Sequence, residues 1–328
     1  MTGCRFDGKN TLDKNYLYLA QNLGAEILAE KEVFDVIPKG EKGENGYEIH
    51  FKDSTRFFKK KGKIKAKKII FSGGVLGTVG LMLRLKKTSL SRLSDKLGTG
   101  IRTNSEALIG MTSADPKARF SDGVAIGSIL HTDEDTSLEP VRYREGNGFW
   151  RWLGGPMIKG KGKNFFGRVW AIGKGWWKDP IGNLKTYFVK DWAKNTQILL
   201  FMQSIDSTIR FSKGMFGMIS SKESGPAPTA FLPEANKLAT QYGEIVDAKP
   251  MVIYTESLLG IPTTAHILGG AIMGKDATEG VIDKDNKVFG YEGMYVCDGA
   301  MISANPGVNP SLTITALSER AMSKIPVK

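Results

Sequence analysis

The stretch from Tyr254 to Arg320 constrains the fold more than any other. It sets His266 between Thr264-Ala265 and Ile267-Leu268-Gly269-Gly270, then ends an apolar strand on an acid and a glycine, Tyr295-Val-Cys-Asp298-Gly299. It closes with Asn309-Pro310 at the head of an apolar helix, Ser311 to Arg320. Asn followed by Pro is an ordinary helix start, and the free N–H groups there also suit an electron-rich carbonyl edge. A second transition of this kind lies upstream. Lys68-Ile-Ile-Phe71 reads as a buried strand, Ser72-Gly73-Gly74-Val-Leu-Gly77-Thr78 as a glycine-rich turn, and Val79 to Leu85 as a helix. Such a turn can present backbone N–H groups to a phosphate or ribose, and tight strand-to-helix packing accounts for the same glycines. It is not the Gly-x-Gly-x-x-Gly dinucleotide fingerprint, which occurs nowhere in the chain.

With 328 residues, 41% of them hydrophobic, and 39 glycines, the chain has material for two domains with cores rather than a disordered segment. Cys4 and Cys297, near opposite ends, make neither a disulfide framework nor a metal site, and read as free thiols. No run of eighteen apolar residues and no hydrophobic signal core is present, so a cytoplasmic protein, peripheral to membrane at most, is expected. The net charge of +12 favours acidic surfaces. Without a helix-turn-helix, zinc finger or single-strand aromatic motif, nucleic acid is not expected as a partner.

Taken in order, Thr11 to Leu23 predicts an amphipathic helix stopped by Gly24, Ala25 to Pro38 a strand, and Tyr47 to Phe51 a second strand after a turn at 43–46. Lys59 to Lys68 reads as a solvated hairpin whose lysines alternate with Ile64 and Ala66. Gly98 to Met111 reads as a connection, polar around Asn104-Ser-Glu106, with a domain boundary near 112–120. Val124 to Leu130, Leu138 to Tyr143 and Gln197 to Phe211 predict strands of an antiparallel sheet, and Glu234 to Tyr242 a helix. All six tryptophans fall between Phe149 and Trp192, interleaved with lysine and arginine. Indoles beside cations suit an interfacial membrane surface over 149–178; inward-packed aromatics with wet lysines give the same pattern.

Of three histidines, His266 alone has small and apolar neighbours that would let a flat ligand approach, and an imidazole is a natural base for an alcohol proton. A hydrogen-bonded core histidine satisfies the same pattern. Asp298 can accept hydrogen bonds from sugar or ribityl hydroxyls, with Gly299 admitting a ligand, or the pair can simply turn the chain.

Ala265-His-Ile-Leu-Gly-Gly270, Gly290-Tyr-Glu-Gly-Met-Tyr-Val-Cys-Asp-Gly299 and Gly307-Val-Asn-Pro-Ser-Leu-Thr-Ile-Thr-Ala-Leu-Ser-Glu-Arg320 together resemble the C-terminal signature of glucose-methanol-choline (GMC) flavin oxidoreductases, closest to the cholesterol oxidase branch. Asn10 to Tyr16, Ile69 to Thr78 and Ser94 to Gly98 resemble that branch too, and the likeness touches most of the chain outside about 148–195.

The resemblance implies an α/β and α+β fold with FAD as cofactor. Residues 1–115 and 256–328 would belong to an incomplete FAD-binding domain built from discontinuous segments. Residues 116–255 would form a substrate domain with an antiparallel sheet and an insertion at 148–195. His266 would be the base or hydrogen-bond partner for the substrate hydroxyl, and Asn309 would orient the alcohol and tune the flavin. Asp298 and Gly299 would contact the ribityl-phosphate region, Asn309-Pro310 the pyrimidine edge, and Val33 with Gly73 and Gly74 the adenosine end. The substrate implied is a hydrophobic secondary alcohol such as a sterol. A sugar or choline-type dehydrogenase of the same superfamily, and a non-catalytic lipid-binding module, are the alternatives. Glu139 and Glu145 are position-based candidates for an acid assisting isomerisation. The family's His-Pro-Leu-Gly-Gly is His-Ile-Leu-Gly-Gly here. Because the glycine fingerprint is missing, the chain reads as a C-terminal portion, expected to leave apolar sheet faces exposed and to bind flavin poorly alone.

Overall fold

The computed structural model of the chain describes residues 8–160, 162–226 and 228–326. Cys4 lies outside them. Cys297 is a free thiol whose pKa is pushed up to about 11, first by burial and then by the Asp298 charge, so it stays protonated.

The predicted first helix is shorter at its start. Leu12–Lys14 forms a 3-10 turn, Asn15 caps, and α1 (Tyr16–Asn22) follows, with Gly24 in the left-handed region beyond it. The strand read from Ala25 begins only at Lys31. β1 (Lys31–Pro38), β2 (Tyr47–Asp53) and β3 (Lys61–Ala66) make an antiparallel sheet, and lysine-rich β3 lies at its edge with most side chains in water. β4 (Ile69–Phe71) then turns into α2 (Gly74–Leu85), as predicted. Val75, Val79, Met82 and Leu83 of α2 are buried in the same core as Phe71.

From here the chain enters antiparallel structure. β5 (Ile101–Arg102) is followed by β6 (Ala107–Ser113), β7 (Leu130–His131), β8 (Thr136–Val141) and β9 (Gly154–Pro156). Next come α3 (Phe165–Lys178), α4 (Pro180–Tyr187) and α5 (Trp192–Asn195). β10 (Thr196–Gln203) and β11 (Thr208–Lys213) are the two halves of the long apolar run, parted by a bend, and β12 (Met218–Lys222) pairs with β11. α6 (Pro233–Val246), β13 (Ala248–Ile253), α7 (Tyr254–Ser257), β14 (Met294–Val296) and α8 (Ser311–Ser323) complete the chain.

Six strands form one antiparallel sheet in the order β7-β8-β10-β6-β13-β9. Its central β6 lies within the stretch read as a connection and ahead of residue 116. Val124 to Leu130 contributes little to it: Ile126 makes a single bridge to Val141 and Val124 is exposed.

The register sorts the sheet's faces. Phe201 pairs with both Ala107 and Leu138, and these pack with Ile109, Met111 and Leu199 against Ala235 and Ala239 of α6. Side chains one residue along point the opposite way, so Leu200, Met202 and Glu139, with Glu106 just before β6, occupy the other face. That face carries the chemistry.

β14 pairs in parallel with β4, in register from Met294 with Ile69 to Val296 with Phe71. Two strands are few for a parallel sheet, which is ordinarily covered on both faces. Ile70 and Leu76 are accordingly exposed, as is Leu312 on α8. Among the described residues no helix is long and apolar enough to cross a membrane.

Gly269 and Gly270 do not open a path for a ligand. Leu268 bridges to Arg102, and a Cβ on Gly269 (φ +83°) would lie 2.0 Å from the Gly100 carbonyl oxygen; one on Gly270 would meet Ile101 at 2.6 Å and Val79 at 2.7 Å. Gly269 lets two backbone segments touch, and Gly270 lets core side chains of Ile101 and Val79 pack on the chain. Gly74 differs: it has φ +71° and open space where a Cβ would stand. In urea unfolding, Gly74→Ala should cost only the left-handed strain of about 1–2 kcal/mol. Gly269→Ala, which must also displace backbone, should cost at least about 3 kcal/mol.

Candidate active site

The Glu106 carboxylate is wholly buried and fully engaged. Oε1 accepts from the Thr264 hydroxyl at 2.7 Å and faces His266 Nδ1 at 2.8 Å; Oε2 accepts from the Ala265 backbone N–H at 3.1 Å. The His266 N–H closes the loop onto Thr264 Oγ1 at 2.9 Å. With Nδ1 committed to a carboxylate, the ring is fixed in tautomer and direction, leaving Nε2 to accept a proton.

Asn309 is held by the second acid on the same face. Its Nδ2 donates to both oxygens of Glu139, at 2.9 and 2.8 Å, while its Oδ1 is buried with no partner among the described residues. The loop carrying Asn309 is pinned to the sheet at further points. Asn104 Nδ2 donates to the Val308 carbonyl at 2.7 Å, Ser137 Oγ to that of Gly307 at 3.3 Å, and Asn305 Nδ2 to those of Gln203 and Ile205 at 2.8 and 2.9 Å.

A third acid, Glu256, is buried and accepts from the Thr263 N–H at 3.3 Å. Burial, with a smaller contribution from the Glu106 charge, pushes its pKa up to about 7. Near neutrality it is substantially protonated, which relieves the repulsion that a second buried carboxylate would bring.

Asp298 and Gly299 stand where predicted, at the carboxyl end of β14. The Asp298 side chain accepts from the Ala300 N–H at 2.8 Å and from the Thr78 hydroxyl, and Thr78 Oγ1 in turn accepts from the Gly73 N–H at 3.0 Å. The Gly73-Gly74 turn and the Asp298-Gly299 turn are thereby tied together at adjacent parallel strand ends, the usual position for a ligand in such sheets. Burial holds the Asp298 pKa above the usual carboxylate range, partly offset by these hydrogen bonds. Pro310 is the N-cap residue of α8. Val33 lies on β1 in the separate three-stranded sheet, half-buried against the α2 core.

The other candidates fall elsewhere. His50 bonds Glu48 at 2.7 Å on β2, and His131 is exposed on β7. Glu145 lines a cleft with Lys185, Phe188 and Lys194. A charged cleft around Asp95, Arg102, Asp206 and Arg210 contains neither His266 nor Asn309.

Residues 202–318 match the GMC oxidoreductase family. Over its whole length the chain is 40% identical to a cholesterol oxidase of Acinetobacter baumannii and 37% identical to one of Mycobacterium tuberculosis, spanning 60% and 58% of those proteins. Residues 202–318 thus carry the C-terminal domain of the GMC oxidoreductases. Its likeness to the crystal structure of pyridoxine 4-oxidase from Mesorbium loti, with a TM-score of 0.52 over 90% of this chain and 57% of that one at 11% identity, is one of fold.

GMC proteins carry FAD, and three features of this chain fit it. Asn309 Oδ1 is a buried acceptor in want of a donor, which the N–H edge of a flavin ring provides. Gly74 leaves open space at the head of α2, and Asp298 sits beside it as an acceptor for hydroxyls. At Gly299 a Cβ would stand 3.3 Å from Val75 and 3.4 Å from the Ile267 carbonyl oxygen, so its small size also serves packing.

Sequence reasoning passed over Glu106 and Glu256. The available signal was a carboxylate placed one residue before an apolar strand in one case, and three residues after one in the other.

Because Glu256 titrates higher in the folded chain than its ordinary 4.5, its protonated form favours folding. That contribution is complete below about pH 4.5 and is lost as pH rises through about 7, at up to about 1.4 kcal/mol per pH unit. Comparing unfolding free energies of the parent and Glu256→Gln between pH 4 and 8 should show a steeper downward slope in the parent.

Proposed function

We propose that this chain supplies the substrate-facing, proton-accepting side of an FAD-dependent oxidoreductase that oxidises a hydrophobic secondary alcohol of the sterol type. The observation that carries the reading is the pairing of Glu106 with His266 and of Glu139 with Asn309 on one sheet face. Around these polar groups that face is apolar: Leu108, Ile198, Leu200, Met202 and Val141 cluster on it. Such a surface suits a hydrocarbon skeleton better than a sugar, whose hydroxyls would need many more partners.

Oxidation of an alcohol removes the hydroxyl proton and a hydride from the same carbon. The bound FAD supplies the hydride acceptor. His266 Nε2 takes the proton, and the resulting imidazolium is stabilised by the adjacent Glu106 side chain, which Thr264 and the Ala265 N–H hold in place. Glu106 is therefore a positioning residue that acts through His266. Glu139 serves Asn309 in the same manner, holding its amide so that Oδ1 rather than Nδ2 faces outward.

The names of the relatives support the sterol reading, and the exposed residues of the two-stranded parallel sheet support a flavin site that this chain only partly encloses. The chain by itself should accordingly purify without a flavin absorbance band, and a stoichiometric band would contradict this. In the FAD-loaded protein, anaerobic flavin reduction should proceed with a sterol and not with glucose or choline; the reverse preference would overturn the substrate class. His266→Ala should slow that reduction by about 10²–10⁴-fold. Glu106→Gln should lower kcat by at least about tenfold with KM little changed.

A further inference from the structure

The geometry points to a docking face for an anionic phospholipid surface, formed by α3 and α4. Phe166, Trp170 and Trp177 fall at helical spacings of four and seven and make one stripe along α3, with relative exposures of 80, 76 and 84%. Ile181 and Leu184 of α4 continue the apolar surface. The stripe cannot roll inward, because the opposite side of the helix is fastened. Arg168 donates to the Leu258 and Leu259 carbonyls at 2.8 and 3.3 Å, and Trp176 packs edge-on against Tyr187 with ring centres 5.9 Å apart. At Gly175 a Cβ would stand 3.3 Å from Pro156, so the helix lies close on β9.

Charge identifies the occupant. Lys163, Lys174, Lys178 and Lys185 are exposed around the stripe, whereas residues 162–188 hold a single carboxylate, Asp179, which caps α4 and pairs with Lys249. A protein-binding surface is ordinarily depleted in lysine. Exposed indoles rimmed by lysines match the boundary of an anionic bilayer, where the rings lie at headgroup depth and the ammonium groups meet lipid phosphate and carboxylate. The carbonyls gripped by Arg168 begin the segment that runs through exposed Leu259 and Ile261 to Thr263 and His266. A lipid surface held by α3 would thus lie beside the chain leading into the candidate site, where an apolar substrate could pass without crossing water.

Co-sedimentation with phosphatidylcholine vesicles, with and without phosphatidylserine, tests this. The full chain should bind the phosphatidylserine vesicles, more weakly at high salt, and should leave pure phosphatidylcholine largely unbound. The double substitutions Trp170→Ala/Trp177→Ala and Lys174→Glu/Lys178→Glu should each weaken binding by about tenfold or more. Both should leave the unfolding midpoint unchanged, since these side chains are exposed. Phe57→Ala, equally exposed but in the β2–β3 connection, should bind like the parent. Equal binding by all variants would overturn the proposal. So would failure to bind either vesicle, including the case in which the chain self-associates and Trp170→Ala/Trp177→Ala makes it monomeric, which would assign the face to a second copy.

Discussion

A carboxylate placed inside a protein must be met by donors, and the Glu106 carboxylate is met by residues some 160 positions away in sequence: Thr264, Ala265 and His266. The six-stranded sheet therefore cannot be complete without the loop that carries the histidine, nor can the loop keep its shape without the sheet. Glu139 imposes the same requirement on Asn309, through two hydrogen bonds to one amide. Both acids stand on one face because the β10 register turns Phe201, Ala107 and Leu138 toward α6 and their neighbours the other way. Side-chain alternation thus determines which groups meet at the site.

Close backbone packing supplies the second constraint. The segment after His266 bridges to β5 at Leu268, and Gly269 allows it to lie against the Gly100 carbonyl. At the parallel strand ends, Thr78 links the two turns by accepting from Gly73 and donating to Asp298. The GMC resemblance assigns Gly73, Gly74, Asp298 and Gly299 to cofactor contact. Gly74 has open space where a Cβ would stand, whereas at Gly269, Gly270 and Gly299 that space is filled by the protein's own atoms.

Much of the local architecture was legible because its signals are short in range. The strand, glycine turn and helix from Ile69 to Leu85, the pairing of β2 and β3, and α6 all follow from alternation, helical spacing or turn residues, whereas the run from Gln197 to Phe211 fits one long strand as well as the two observed. His266, Asp298 and Asn309 were legible as a set through their motif. Glu106 was not, because Asn104-Ser-Glu106 reads as a polar connection and its partners are remote; Ser105, at φ +47°, bends the backbone just ahead of β6. Likewise Val124 to Leu130 has the alternation of a strand but mostly lacks a neighbour to pair with. The tryptophan-rich segment defeats composition for a related reason: Trp192 of α5 packs in a core with Val189 and Ala193, whereas α3, anchored by Arg168, leaves Trp170 and Trp177 exposed.

The central claim is that Glu106 and His266 form one coupled unit joining sheet to loop. A double-mutant cycle on unfolding free energy with Glu106→Ala and His266→Ala measures that coupling directly. The account predicts an interaction energy of about 1.5–3 kcal/mol, as for a hydrogen bond to a buried charge. Single-substitution effects that add to within about 0.5 kcal/mol would contradict it.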